Sequence, residues 1–341
     1  MRQEGKDTAR VPRPAGSREA SGESERSRVS CHLLRSQHRR HRNVSCLPLS
    51  RPRRAISSAP DHYLPRVITV YKGDNLRVLA AIPPGAFDLI YIDPPFNTGR
   101  TQSRTRLRTS RDAAGDRTGF GGRRYSTTTL GSEQFADAFD DYPAFLEPRL
   151  LEAKRVLRAT GSLFVHLDAR EVHYVKVLLD GLFGRASFMN EIIWAYDYGG
   201  RSKTKWAQKH DTILWYANDP AHYTFRQSES DRLPYMAPGL VTPEKRARGK
   251  LPTDTWWNTI VSPTGKEKTG YPTQKPLAIL ERIVKVHSKP GDQLLDFFAG
   301  SGSFGEAGDR HGRDVTLVDS SPAAIRVMKK RFAATEVRFL K

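Results

Sequence analysis

The pattern of apolar and polar positions changes near residue 66. Before it, Arg, Ser and Pro recur with no apolar period. Such a segment has too little hydrophobic surface to offset the entropy of ordering it, so residues 1–66 are expected to form a disordered basic arm. After it, Val67–Tyr71 is a β-branched run stopped by the turn-forming Lys72-Gly-Asp-Asn75. A short helical stretch carries Leu76, Leu79 and Ile82 as far as Pro83-Pro84-Gly85, and Asp88–Ile92 is a second apolar strand. Continuous apolar strands separated by a helix predict a buried parallel sheet.

Residues 97–131 hold Arg100, Arg104, Arg106 and five further arginines among Gly, Ser and Thr, which reads as a long Arg-rich loop. Leu146, Leu150, Ala153 and Leu157 recur at helical spacing up to Gly161, which should end the helix; Ser162–Leu167 then reads as another buried strand. A helix over Val172–Leu182 follows, then strands at Glu191–Tyr196 and Asp211–Tyr216, joined by a basic loop with Arg201, Lys203 and Lys205. Residues 227–270 are irregular apart from Trp256 and Trp257, for which packing is the favoured role over base contact. Order returns with a helix from Thr273 whose inner face is Leu277, Leu280, Val284 and His287. Strand Gln293–Phe298, the glycine turn Ala299–Gly305, strand Asp314–Val318 and a helix over Ile325–Phe332 complete the pattern.

Charge adds a partner class to this α/β pattern. The 341 residues carry a net +19, of which residues 1–66 supply +9, and a protein that basic is expected to meet a polyanion, nucleic acid first. No stretch approaches the ~20 apolar residues of a membrane span, and the N-terminus lacks an apolar signal core, so neither a membrane protein nor a secreted one is expected. The two cysteines, Cys31 and Cys46, exclude a disulfide scaffold. With His32, His38 and His41 they match no standard zinc spacing, so no metal is expected.

Two constellations carry chemistry. In Asp296-Phe-Phe-Ala-Gly-Ser-Gly-Ser-Phe-Gly305 a strand enters a glycine turn, with Gly300, Gly302 and Gly305 spaced to let a nucleotide-type cofactor approach backbone N–H groups. Asp319 ends the next strand, where a carboxylate can accept from ribose hydroxyls. A plain strand–helix turn is the alternative. In the second, Asp93-Pro-Pro-Phe96 stands at the carboxyl end of a buried strand, and chance would place it in only on the order of one chain in several hundred. An Asp-Pro turn is its bland reading. The two prolines, however, fix backbone dihedrals so that Asp93 and the Pro94 carbonyl form a rigid acceptor pair suited to an exocyclic amine, with Phe96 as a stacking face.

Asp93-Pro-Pro-Phe96, Thr273-Gln-Lys-Pro276 and Asp296-Phe-Phe-Ala-Gly-Ser-Gly302, in that order, resemble the β-class DNA amino-methyltransferases over roughly residues 67–334. The resemblance implies an α/β, Rossmann-like S-adenosylmethionine-dependent methyltransferase fold, circularly permuted, with an inserted target-recognition region. It divides the chain into a catalytic half (67–197), a recognition region (198–270) and a cofactor half (271–341). It implies base flipping onto Asp93, Pro94, Pro95 and Phe96. Asp74, Thr273, Lys275, Asp296, Phe298, Gly300, Gly302 and Asp319 fall on the cofactor side, though helix-terminal surface charge is the plainer reading of Lys275. Arg100, Arg104, Arg106, Arg201, Lys203 and Lys205 are expected on double-stranded DNA. The resemblance also implies a cytoplasmic, nucleoid-associated enzyme and leaves room for a restriction endonuclease partner and a homodimer. Phe96 replaces the commoner Tyr, and Ser303 the commoner Thr.

An Asp opening the motif goes, in that family, mostly with adenine N6, and a Ser mostly with cytosine N4. Adenine is therefore the expected target and cytosine the alternative. Two rivals fare worse. A dinucleotide-dependent dehydrogenase needs several βαβ units after its glycine turn, and only 36 residues follow Gly305. A catalytically silent DNA-binding relative would be expected to have lost Asp93, Asp296 or Asp319, and all three are present.

Overall fold

The structure is a computed structural model that describes residues 67–340, apart from 100–101, 116, 119–123, 136–138 and 263–264. The arm at 1–66, its Cys and His residues, and Arg100 lie outside the described residues. The apolar runs become strands in the expected places: β1 (Ile68–Lys72), β2 (Phe87–Ile92), β6 (Leu157–Leu167), β7 (Phe188–Ala195), β8 (His210–Ala217), β10 (Gln293–Asp296) and β11 (Asp314–Asp319). The segment 102–135 adds β3 (Gln102–Arg111), β4 (Arg117–Thr118) and β5 (Arg124–Phe135), and two short strands, β9 (Thr255–Trp257) and β12 (Val337–Leu340), lie later in the chain. The helices are α1 (Asn75–Ala80), α2 (Tyr142–Val156), α3 (Val172–Phe183), α4 (Pro243–Arg248), α5 (Leu277–His287), α6 (Ser303–Arg310) and α7 (Pro322–Arg331).

Nine strands form one sheet in the order β12-β1-β11-β10-β2-β6-β8-β7-β9. From β12 to β6 all neighbours are parallel; β8 is antiparallel to both β6 and β7, and β9 runs parallel to β7. Alternation sorts side chains to the two faces. Leu89 and Tyr91 of β2 face the layer of α5, α6 and α7, where Leu280, Phe304 and Met328 are buried. Ile90 and Ile92 face α1, α2 and α3, where Leu79, Leu150 and Leu179 are buried. This is the three-layer α/β arrangement expected of the permuted methyltransferase fold: β10 and β11, from the end of the chain, sit between β1 and β2 from its beginning.

Four local expectations need correction. The Arg-rich stretch is not a loop but a β-ribbon, in which β3 pairs antiparallel with β5 from Gln102 opposite Phe135 to Arg111 opposite Tyr125. Its Thr and Tyr residues, such as Thr105, Thr109 and Tyr125, suit a pleated backbone, a preference the arginines obscured. Gly161 does not end α2, which stops at Val156; it sits in β6 beside a register break, where an added Cβ would lie 2.9 Å from the Asp88 carbonyl oxygen. Helix α5 starts at Leu277 rather than Thr273, because Pro276 holds the residue before it out of helical geometry. Finally, β12, of sequence Val-Arg-Phe-Leu, follows the last helix as a further strand that the pattern left unassigned, with three of its four residues exposed.

The ribbon pairs only with itself among the described strands. Replacing residues 102–135 by a short Gly-Ser linker should therefore leave the nine-stranded sheet folded, with a thermal midpoint within about 2 °C of the parent. Far-UV circular dichroism during heating measures this; a collapse of the transition would mean that the ribbon is part of the core.

Candidate active site

Four adjacent parallel strands, β1, β11, β10 and β2, end at the same edge of the sheet. Open α/β sheets bind ligands at this carboxyl edge. The residues at those ends are Gly73 and Asp74, Asp319, Asp296, and Asp93. They line a single cavity of about 560 Å³ with Lys275, Phe96 and Phe298, a volume suited to a nucleotide-sized ligand.

The Pro-Pro motif leaves β2 as a fixed corner. The Tyr142 hydroxyl donates to the Pro95 carbonyl at 2.6 Å. Asn97 turns the chain in the left-handed region, φ 51°, where Asn is among the side chains best tolerated. Its amide donates to Glu171 Oε1 at 2.7 Å, and its Oδ1 accepts from the Phe139 N–H at 2.9 Å. Asp93 is thus carried on a backbone pinned on both sides. Its Oδ2 accepts from Lys275 Nζ at 2.8 Å, while Oδ1 is buried with no hydrogen-bond partner. The Lys275 ammonium also lies 4.6 Å from the centre of the Phe96 ring, a cation–π distance. Lys275 is therefore no surface charge; it is buried at the junction of the two motifs.

The other carboxylates are set by backbone donors. Asp296 is buried and accepts one N–H, that of Phe298, at 2.9 Å. Burial, with the charges of Asp93 and Asp319 added, raises its pKa well above the ordinary carboxylate value. Asp319 accepts from the Gly300 N–H at 2.7 Å and the Ser321 N–H at 2.8 Å; burial still outweighs these bonds and raises its pKa. Asp74 caps α1 through the Arg77 N–H at 3.1 Å and stands 3.6 Å from Arg149. Of the cavity's acids, Asp93 and Asp74 have Lys275 and Arg149 as partners, whereas Asp296 and Asp319 are held by backbone N–H groups alone.

Residues 87–330 match the DNA methylase family of the N6/N4 type. The chain belongs to that family. It is 28% identical over 276 residues to the type II methyltransferase M.HinfI of Haemophilus influenzae, covering 77% of this chain and 67% of that one. It is 27% identical over 274 residues to the DNA adenine methyltransferase YhdJ of Escherichia coli, covering 77% and 82%. The fold is shared with the PvuII cytosine-N4-specific DNA methyltransferase (TM-score 0.53, 15% identity, 79% and 88% covered). It is shared as well with M1.HpyAVI in complex with SAM (TM-score 0.50, 19% identity, 77% and 98% covered).

In this DNA methylase the structure brings Asp74, Asp93, Pro94, Pro95, Phe96, Thr273, Lys275, Asp296, Phe298, Gly300 and Asp319 to one cavity. Gly302 stands apart from its wall. It precedes α6 with φ +75°, and an added Cβ would lie 2.9 Å from Met328 and 3.1 Å from Phe332, so its lack of a side chain serves packing against α7. Arg104 and Arg106 are on β3, and Arg201, Lys203 and Lys205 are exposed beyond β7. Trp256 is buried and Trp257 is exposed, so the packing role holds for the first alone. Sequence reasoning missed Tyr91, His166 and Asp211, which bond to one another behind the motif, and Arg149 on the cavity wall. A signal for two of them existed: Tyr91 shares a strand face with Asp93, and His166 is a polar residue inside an apolar strand.

The raised Asp296 pKa implies a stability cost. A carboxylate whose folded pKa exceeds its unfolded value costs nothing below the unfolded value, near 3.9, and costs progressively more as pH rises toward the folded one. Asp296→Asn should therefore melt at a higher temperature than the parent protein at neutral pH, and the gain should shrink as pH falls toward about 4. Calorimetric melting of the ligand-free proteins across that range tests the assignment; a variant no more stable than the parent at neutral pH would refute it.

Proposed function

We propose that the protein is a site-specific DNA methyltransferase that transfers a methyl group from S-adenosylmethionine to the exocyclic N6 of adenine. The observation that carries the reading is Asp93, a rigidly mounted carboxylate with one buried, unpartnered oxygen beside an aromatic ring, at the edge where the acids of the glycine motif converge. The cofactor fits the donor set. It carries a sulfonium and an ammonium, and the cavity offers acids whose charge is held back by burial. When bound, S-adenosylmethionine supplies an electrophilic methyl group, so the reaction needs neither metal nor covalent enzyme intermediate.

The chain's own residues then have assignable tasks. Asp296 receives the ammonium, and Asp319 accepts from ribose hydroxyls while the Gly300 N–H holds it in place. Phe96 stacks on the flipped base. Asp93 and the Pro94 carbonyl accept from its amine and turn the nitrogen lone pair toward the methyl carbon, so that catalysis is chiefly orientation and electrostatics. Lys275 must release Asp93 Oδ2 for that bond to form, or leave the amine to Oδ1. The double-stranded DNA is held by the exposed cations Arg201, Lys203 and Lys205 of the 198–270 region and by the ribbon carrying Arg104 and Arg106; a two-stranded ribbon has the dimensions of a major groove.

Mass spectrometry of nucleosides from DNA treated with the purified protein tests the reaction and the atom together. N6-methyladenine is expected; N4-methylcytosine alone would reverse the choice of base, since the PvuII enzyme shows that this fold also serves cytosine. Two variants separate the motifs. Asp93→Ala should lower kcat by at least ~10²-fold with nearly unchanged cofactor affinity. Asp319→Ala should instead raise the cofactor dissociation constant by roughly tenfold to a hundredfold, through lost hydrogen bonds to a charged acceptor. Near-parental turnover by Asp93→Ala would end this reading of the motif.

A further inference from the structure

A row of buried polar side chains crosses the sheet beneath the Pro-Pro motif. Tyr91 of β2 bonds to Nδ1 of His166 of β6 at 2.9 Å. Nε2 of His166 bonds to Oδ2 of Asp211 of β8 at 3.1 Å, and the hydroxyl of Tyr196, just beyond β7, donates to Oδ1 of Asp211 at 3.0 Å. Burial, with Asp93 next in effect, raises the Tyr91 phenol well above its ordinary pKa, so it keeps its proton. Burial would raise Asp211 as well, but its hydrogen bond with His166, then the charge of Lys275 and the bond from Tyr196, overcome it and lower its pKa. The Asp211 carboxylate can only accept, so Nε2–H donates to it, while the Tyr91 hydroxyl holds Nδ1 at the other end of the ring.

This fully buried imidazole touches the site already described through its ring. His166 lies against Phe96 with ring centres 6.1 Å apart and planes 29° from parallel, and Trp194 closes its other side edge-on at 5.5 Å. Tyr91 is in turn stacked on Phe304 at 5.2 Å. Each bonded partner therefore removes a freedom of the ring that backs Phe96. We propose that His166 is a positioning residue for methyl transfer: clamped by Tyr91 and Asp211, its imidazole fixes the plane of Phe96 on which the target base stacks. This rests on the reading that Phe96 receives the base.

The test is a double-mutant cycle. The methylated sequence is first read from plasmid DNA treated with the full-length protein, and a duplex of that sequence with 2-aminopurine at the target position reports base flipping by fluorescence. His166→Leu should lower kcat about tenfold and reduce the flipping signal, with the cofactor dissociation constant unchanged. Tyr91→Phe, which removes one hydroxyl and leaves the core filled, should give a smaller loss in the same direction, and it decides the question alone if His166→Leu does not fold. In a Phe96→Ala background either change should cost less than about twofold more, because the ring they position is gone. Losses that multiply with that of Phe96→Ala, or cofactor binding that falls in step with kcat, would overturn the positioning role while DNA methylation by the parent stands. A parent that methylates no base would overturn the functional reading itself, and the proposal with it.

Discussion

Like charge gathered at one buried sheet edge is the constraint around which this molecule is arranged. Parallel strands all end at the same edge, so two regions far apart in sequence deliver Asp74 and Asp93, and Asp296 and Asp319, to one cavity. Burial raises the free energy of the charged carboxylates, neighbouring acids add to it, and the pKa of Asp296 rises accordingly. Lys275 relieves one of them by pairing with Asp93, and backbone N–H groups from the glycine turn and the start of α7 relieve Asp319. What remains is an acidic cavity poised for a ligand with two positive centres. A site held in a costly state by its surroundings is the usual accompaniment of binding chemistry.

That constraint explains why the motif after β2 is so firmly mounted. Under the function proposed above, Asp93 orients a weakly nucleophilic amine, a task that tolerates little drift because small displacements are costly in reactions governed by orientation. Two prolines limit the backbone from within, and Tyr142, Glu171 and the Phe139 N–H tie it from outside. The ties come from α2 and the segments beside α2 and α3, the helices that cover the opposite face of the sheet from α5. Both layers thus converge on one tetrapeptide.

The cavity lies on the parallel strands, whereas β8 is antiparallel to its neighbours and β9 runs parallel to β7 at the far edge, both strands belonging to the basic 198–270 segment. The ribbon of β3 and β5 leaves just after the Pro-Pro motif and pairs with no strand of the main sheet. Arg201, Lys203 and Lys205, exposed in the 198–270 segment, do not line the acidic cavity.

By itself the sequence determined the strands of the parallel sheet other than β12, the positions of Asp93, Asp296 and Asp319 at their ends, and the family. Each of these is written locally: apolar runs, turn residues and a motif of a few adjacent positions carry it without reference to distant parts of the chain. The ribbon escaped because its pairing partner, not its composition, decides that it is a strand; Arg104 opposite Glu133 is a fact of register. Gly302 looked like a cofactor contact because spacing does not reveal which glycine faces the cavity and which faces Met328. Lys275 falls on the cofactor side by its motif, but its ion pair with Asp93, 182 residues away, exists only once the two are folded together. His166 and Asp211, 45 residues apart, become partners only when β6 and β8 pair. Local patterning specifies the elements. Which polar groups end up buried together is decided by long-range packing, because only the folded sheet removes water from both of them at once.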